Sequence, residues 1–299
     1  MTSSDPKLPP SHILLALAVV AVWGTNFVVI RVALDALPPL TFATLRYVLA
    51  LLPAAFFIRR PAVRWRTLAA YGVAIGFGQF GLLFIAMDGL ISPGLASLVV
   101  QMQIFFTIGL SVWLAGERLR RFQLIGLALA TAGVGVILLH TGGATTPLGL
   151  ALTLAAALSW GIGNHVAKAS GTSDMLGFVV WASLFAIPPL AMGAVIADGP
   201  ARIGESLAAA GPGTWAAVAW QSAGNTLFGY SAWGWLLSRH PAATISPLSM
   251  LVPVFGMSAS ALLLGEPLHD WKLLAGALVL GGLAVNLLWP RLVRRRAPG

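Results

Sequence analysis

The 299-residue chain is 58% hydrophobic and only 9% charged, with a mean hydropathy of +0.87. That is too little charge to cover a water-facing surface, so a polytopic membrane protein is implied and a soluble domain is excluded. The net charge of +9 sits in short connections and a tail, where membrane topology accounts for it without nucleic acid, and the absence of cysteine excludes disulfides, thiolate nucleophiles and cysteine-held metals.

The apolar runs are continuous rather than alternating, which in lipid points to helices and not to a barrel. Met1–Pro10 is polar and Pro-rich, without a basic region feeding a short apolar core and a small-residue cleavage site, so no removable signal peptide is expected. Ten spans are predicted, at 11–34, 40–58, 67–88, 93–115, 121–139, 147–169, 175–197, 212–237, 242–264 and 271–289. Pro38-Pro39, Arg59-Arg60-Pro61, Ser92-Pro93 and His240-Pro241 punctuate them. The longest connection, 198–211, has room for a short surface helix.

With the N-terminus in the cytoplasm, Lys7, the arginines of 59–66 and of 118–121, Lys168, Arg239 and the arginines of 291–296 all fall inside. Only Arg31, Arg202 and Lys272 fall outside. The positive-inside rule therefore places both termini in the cytoplasm, the last ten residues (290–299) forming a basic cytoplasmic tail. Trp65, Trp113, Trp215, Trp235, Trp271 and Trp289 lie near span ends, where they suit interfacial anchoring.

The second half echoes the first. Trp23-Gly24-Thr25-Asn26 in span 1 is matched by Trp160-Gly161-Ile162-Gly163-Asn164 in span 6. The runs starting at Pro93 and Ala242 each begin 24 positions before a glutamate, Glu117 and Glu266, and Gly133 and Gly282 each follow that glutamate by 16. Both glutamates are expected to stabilise loops. An odd number of spans per copy turns the second copy upside down, an arrangement many carriers use to expose one central site to alternate sides. The expected fold is an all-α membrane protein of two inverted five-helix repeats, 11–139 and 147–289, around a central cavity.

The Trp-Gly-x-Asn segment, its weaker repeat and the small-residue helices ending in Gly-Glu resemble the EamA-type ten-helix exporters of the drug/metabolite transporter superfamily over about 12–289. Within that superfamily the chain looks most like the aromatic amino-acid exporters. The resemblance implies a bacterial inner-membrane exporter of amino acids or other metabolites.

Polar groups in hydrocarbon usually face a cavity or a neighbouring helix. Helical spacing puts Trp23 and Asn26 on one face of span 1, and Trp160 and Asn164 on one face of span 6. Gln79 lies in mid-span 3, Gln101 and Phe105 share a face of span 4 while Gln103 points elsewhere, and Gln221 and Asn225 form a stripe on span 8. With Ser246 of span 9, these residues are the expected substrate contacts; interhelical hydrogen bonding is the alternative for the amides. Gly72-x-x-x-Gly76 is expected to serve packing.

Pro247 and Pro253 are the gating candidates. Pro253 is expected to kink span 9; its repeat partner is Ile104, so the halves are expected to bend differently. Arg46 is the deepest fixed charge. A helix end, a water-filled vestibule, a carboxylate and snorkelling to the interface are all open to it. His165 is a titratable group in span 6, but no carboxylate falls at mid-membrane, so proton antiport and facilitated export stay equally open.

No metalloprotease, esterase-elbow or P-loop motif is present, and the five histidines lack metal spacing, so neither an enzyme nor a cofactor is expected. A channel would call for a symmetric oligomer or a charged filter ring. A carrier of phosphorylated metabolites would call for several cavity cations, and only Arg46 and Lys168 qualify. The expected partners are a neutral or zwitterionic solute and lipid. A monomer suffices, and the number of copies is left open.

Overall fold

The computed structural model describes residues 8–116 and 118–294. Lys7, Glu117 and the tail from 295 onward, to which the sequence assigns charge roles, lie outside the described residues. The architecture is all-helical. In chain order the helices are α1 (Pro10–Leu34), α2 (Pro39–Ala55), α3 (Trp65–Met87), α4 (Pro93–Leu114) and α5 (Arg121–Leu139). There follow α6 (Pro147–Ser170), α7 (Met175–Ala209), α8 (212–239), α9 (242–264) and α10 (Asp270–Arg294). Among the described residues, eight helices are long and apolar enough to cross a membrane. The shorter α2 is apolar too, whereas α8 is diluted by Gln221, Ser222, Asn225 and Thr226 at its centre.

Local sequence explains where the helices start and stop. Pro10, Pro39, Pro93, Pro147 and Pro212 each stand in a first turn, where the missing N–H has no intrahelical partner to lose. Gly116 and Gly265 end α4 and α9 identically, each left-handed at φ 66°. In α7, Gly199 breaks the rod at φ 75°, and the turns beyond it form the short helix expected in the 198–211 connection.

Four helices change winding within their length. α3 is π-helical over Val73–Gly81 and α8 over Trp220–Phe228. α4 has a 3₁₀ turn at Val100–Met102 and α9 one at Ser246–Met250. The halves are expected to bend differently, Pro253 standing where the first half has Ile104. Both halves break, and α4 does so without proline. Pro253 itself sits in the first α-helical turn after the 3₁₀ segment.

Packing is tightest where glycines let backbones meet. A Cβ on Gly72 would come within 2.1 Å of the Ala182 carbonyl oxygen, and one on Gly76 within 2.2 Å of the Ala186 Cβ, so α3 lies flush against α7. The α5–α10 pair is joined likewise through Gly126 and Gly282. Large apolar side chains such as Phe57, Trp113, Ile196 and Leu262 are exposed, as a lipid-facing surface requires.

The two ends of the bundle are held differently. At one, Thr146 donates its amide to the Leu90 carbonyl (2.8 Å) and His140 stacks on Trp271. The Glu266 carboxylate gathers the Ser92 and Ser260 hydroxyls, the Gly94 amide (3.0 Å) and the Lys272 ammonium (2.8 Å). At the other, the start of α1 meets the end of α8 through the ring nitrogens of His12 and His240, 2.7 Å apart.

Candidate functional site

Between the helices lies a chamber of about 580 Å³. Its aromatic wall includes Trp23, Phe27, Phe80, Trp160, Tyr230 and Trp233, with amides set between them. Trp23 lies 5.8 Å from Tyr230 and 5.3 Å from Trp233 by ring centroids. Largely apolar walls with a few fixed polar groups are what a small-molecule pocket needs to hold and orient a ligand.

The chamber is asymmetric along the bundle. Towards the histidine end its lining reaches Gln123, Met175, Leu237 and Leu287, all close to helix ends. Towards the glutamate end it stops at Ile30, Leu83 and Val100. Beyond them Leu37, Phe84, Met87, Leu95 and Leu98 are almost wholly buried and fill the bundle, and the Glu266 cluster lies past these. Desolvation alone would raise the Glu266 pKa. The hydrogen bonds from Lys272, Ser260, Ser92 and the Gly94 amide outweigh it and hold the carboxyl below its ordinary range.

Of the expected contacts, Trp23, Asn26, Gln79, Gln101, Trp160, Asn164, Asn225 and Ser246 come together on the chamber wall. Two do not. Phe105 is buried beside Gly126, between helices. The 3₁₀ turn just before it advances about 120° per residue instead of about 100°, which turns Phe105 further from the face of Gln101, while Gln103 lines the chamber as well. Regular α-helical spacing carries no sign of that rotation. Gln221 is fully buried behind Asn26, to whose Oδ1 its Nε2 donates at 2.8 Å.

Gln103 meets Asn164, which donates from Nδ2 to Gln103 Oε1 (2.8 Å) and Thr107 Oγ1 (3.3 Å). Tyr71, Trp233 and Ser249 also line the wall, beyond the residues expected there. Only Trp233 has a legible signal, lying three residues beyond Tyr230 on the same helical face. Pro247 and Pro253 are absent from the lining. Pro247 lies inside the 3₁₀ turn whose Ser246 and Ser249 do line it.

Arg46 does not snorkel. It is fully buried one layer behind the wall, its guanidinium 3.5 Å from the centroid of Phe80. Nη2 donates to Asn225 Oδ1 and to Thr226 Oγ1 (both 3.0 Å), and Nε donates to Thr226 Oγ1 (3.2 Å). Long rods packed around an amide-lined pocket, with no cluster of metal-ligating side chains among the described residues, can bind and orient a solute.

A family model described as the EamA-like transporter family matches this chain twice, over residues 10–139 and 147–288. The chain belongs to the EamA-like transporter family. Among its relatives, a "Probable amino-acid metabolite efflux pump" of Salmonella typhimurium is 42% identical over 289 residues, covering 95% of this chain and 96% of that one. The protein of the same description from Escherichia coli (strain K12) is also 42% identical, covering 94% and 97%. A "Probable terminal-alkyne amino-acid exporter" of Streptantibioticus cattleyicolor is 28% identical, covering 97% of each chain. A solved structure titled "Crystal structure of protein" superposes with a TM-score of 0.60 at 20% identity, covering 96% of this chain and 99% of that one, which shows a shared fold. As an EamA-like transporter, the chain is a membrane protein whose chamber is the place to look for solute.

Proposed function

We propose that this chain exports amino acids, chiefly aromatic or hydrophobic ones, and related metabolites by alternating access. Ten spans cross the inner membrane as two inverted five-helix repeats, with both termini in the cytoplasm. The observation that carries the proposal is the chamber of about 580 Å³ walled by Trp23 and Trp160 and set with amides. Aromatic faces suit an apolar side chain, and the amides suit a zwitterionic head. The full-length match to relatives named as probable amino-acid metabolite efflux pumps supports the same solute class.

In this topology the chamber faces the cytoplasm, the side from which an exporter loads, and the Glu266 cluster closes the outer side. Export then requires that cluster to part while the histidine end closes. The 3₁₀ turn carrying Pro247, with Pro253 after it, is the gating element of α9. Export by a Pro253→Ala variant at full rate, with labelling unchanged on both sides, would remove that role. The whole proposal is tested by counterflow in proteoliposomes with a panel of amino acids, with and without a pH gradient. Accelerated exchange of hydrophobic amino acids is expected; flux without counterflow would indicate a channel instead.

A further inference from the structure

The charge behind the chamber wall finds no acid partner among the described residues. Arg46 is fully buried, and no carboxylate among the described residues pairs with it. Its Nη1 is buried without a hydrogen-bond partner. An isolated buried cation is costly unless something else supplies negative charge.

The guanidinium also dictates what the chamber presents. It has donors and no acceptor, so Asn225 must turn its oxygen towards it. The Asn225 Nδ2 is left without a protein partner and is not occluded, and Asn225 lines the chamber, so this N–H₂ group points into the void. Asn26 does the same: its oxygen accepts from Gln221, and its Nδ2 is the free end. Gln79, next to Phe80 on α3, has its Oε1 buried and its Nε2 open. Amides from three helices therefore face the chamber, and a full positive charge stands one side chain behind that of Asn225.

We propose that this region is the carboxylate subsite: the solute's carboxylate sits against the amides of Asn225, Asn26 and Gln79. Arg46 is the positioning residue that sets the Asn225 amide and supplies the field. The assignment rests on the chamber being the solute site and adds which end of the solute lies where. A carboxylate there gains charge-assisted hydrogen bonds and adds the negative charge that neutral hydrogen-bond partners and the Phe80 ring do not supply. A solute with an ammonium alone meets donors and positive charge, and is repelled.

The test is displacement of radiolabelled L-phenylalanine and L-leucine from the purified full-length protein in detergent. The competitors are 3-phenylpropionate, which keeps the carboxylate, and phenethylamine, which keeps the ammonium. The wild type should prefer 3-phenylpropionate by about tenfold to a hundredfold, the range of a charge-assisted hydrogen bond. Asn225→Asp keeps an acceptor for Arg46, and so keeps the packing, but cancels the charge; it should erase or reverse the preference. Arg46→Lys should retain part of it.

A merely structural Arg46 would lower the affinity for both competitors alike and leave their ratio unchanged. Equal binding of both competitors by the wild type, or an unaltered ratio in Asn225→Asp, overturns the subsite. Failure of the wild type to bind either radiolabelled amino acid overturns the amino-acid proposal itself, and the subsite with it.

Discussion

Replacing Glu266 by alanine should loosen the closed end of the bundle, and the size of the effect follows from its surroundings. The Glu266 and Lys272 side chains are each only 8% exposed and their charged atoms are 2.8 Å apart. Removing one member of a buried ion pair strands the other and costs about 3–5 kcal/mol, or about two to three and a half powers of ten in an equilibrium constant. The Ser92 and Ser260 hydroxyls and the Gly94 amide lose their acceptor at the same time. Replacing both members, as Glu266→Leu with Lys272→Met, removes the stranded charge. The double variant should be more stable than Glu266→Ala alone, with a coupling of about 1 kcal/mol or more in a double-mutant cycle.

Two measurements read this out. Thermal melting of the detergent-purified protein reports stability. Labelling of a single cysteine at Leu95, fully buried in the first turn of α4, reports opening of that end, and the chain has no native cysteine to compete. Glu266→Ala should lower the melting temperature and speed labelling. Unchanged melting and labelling, with additive single and double variants, would refute the reasoning.

The same carboxylate predicts a pH dependence. Its folded-state pKa lies below the ordinary 4.5, so the stability it contributes is present above that value and is lost as pH falls through the lower folded one. The melting difference between wild type and Glu266→Gln should be flat above about pH 5 and shrink below it. Trp160→Ala should weaken counterflow of aromatic solutes more than of small ones at matched expression; equal loss would count against an aromatic-lined site. Gly282→Val should prevent proper folding, since even a Cβ there would lie 2.4 Å from the Gly126 carbonyl oxygen, whereas Gly109→Ala, with nothing within 4 Å, should be silent in a melting assay.

Hydropathy and the prolines locate the rods well, because a helix in lipid must satisfy its own backbone and so is visible one segment at a time. Trp23, Asn26, Trp160 and Asn164 are legible for the same reason: one helix's spacing places them on a shared face. What fails depends on a second helix or on irregular winding. Gln221 and Asn225 lie on one stripe, yet only a neighbour, Asn26 of α1, decides that Gln221 is hidden. Phe105 is off the wall and Gln103 on it, and the 3₁₀ turn at Val100–Met102 has no proline or glycine to announce it. Arg46 is a charge within a span in the sequence, and its partners Asn225 and Thr226 lie about 180 positions away.

The seam between α5 and α10 constrains how such a bundle can move. Gly126 and Gly282 touch main chain to main chain, and a Cβ on Gly133 would meet the Ala275 carbonyl oxygen at 2.9 Å. Ile125 and Leu127 flank Gly126 and Leu283 follows Gly282, so sliding α5 by a single residue, about 1.5 Å, would drive a large side chain into the opposite backbone. This pair is therefore locked in one register, and in the proposed alternating-access cycle it would serve as the axle about which the other helices rock.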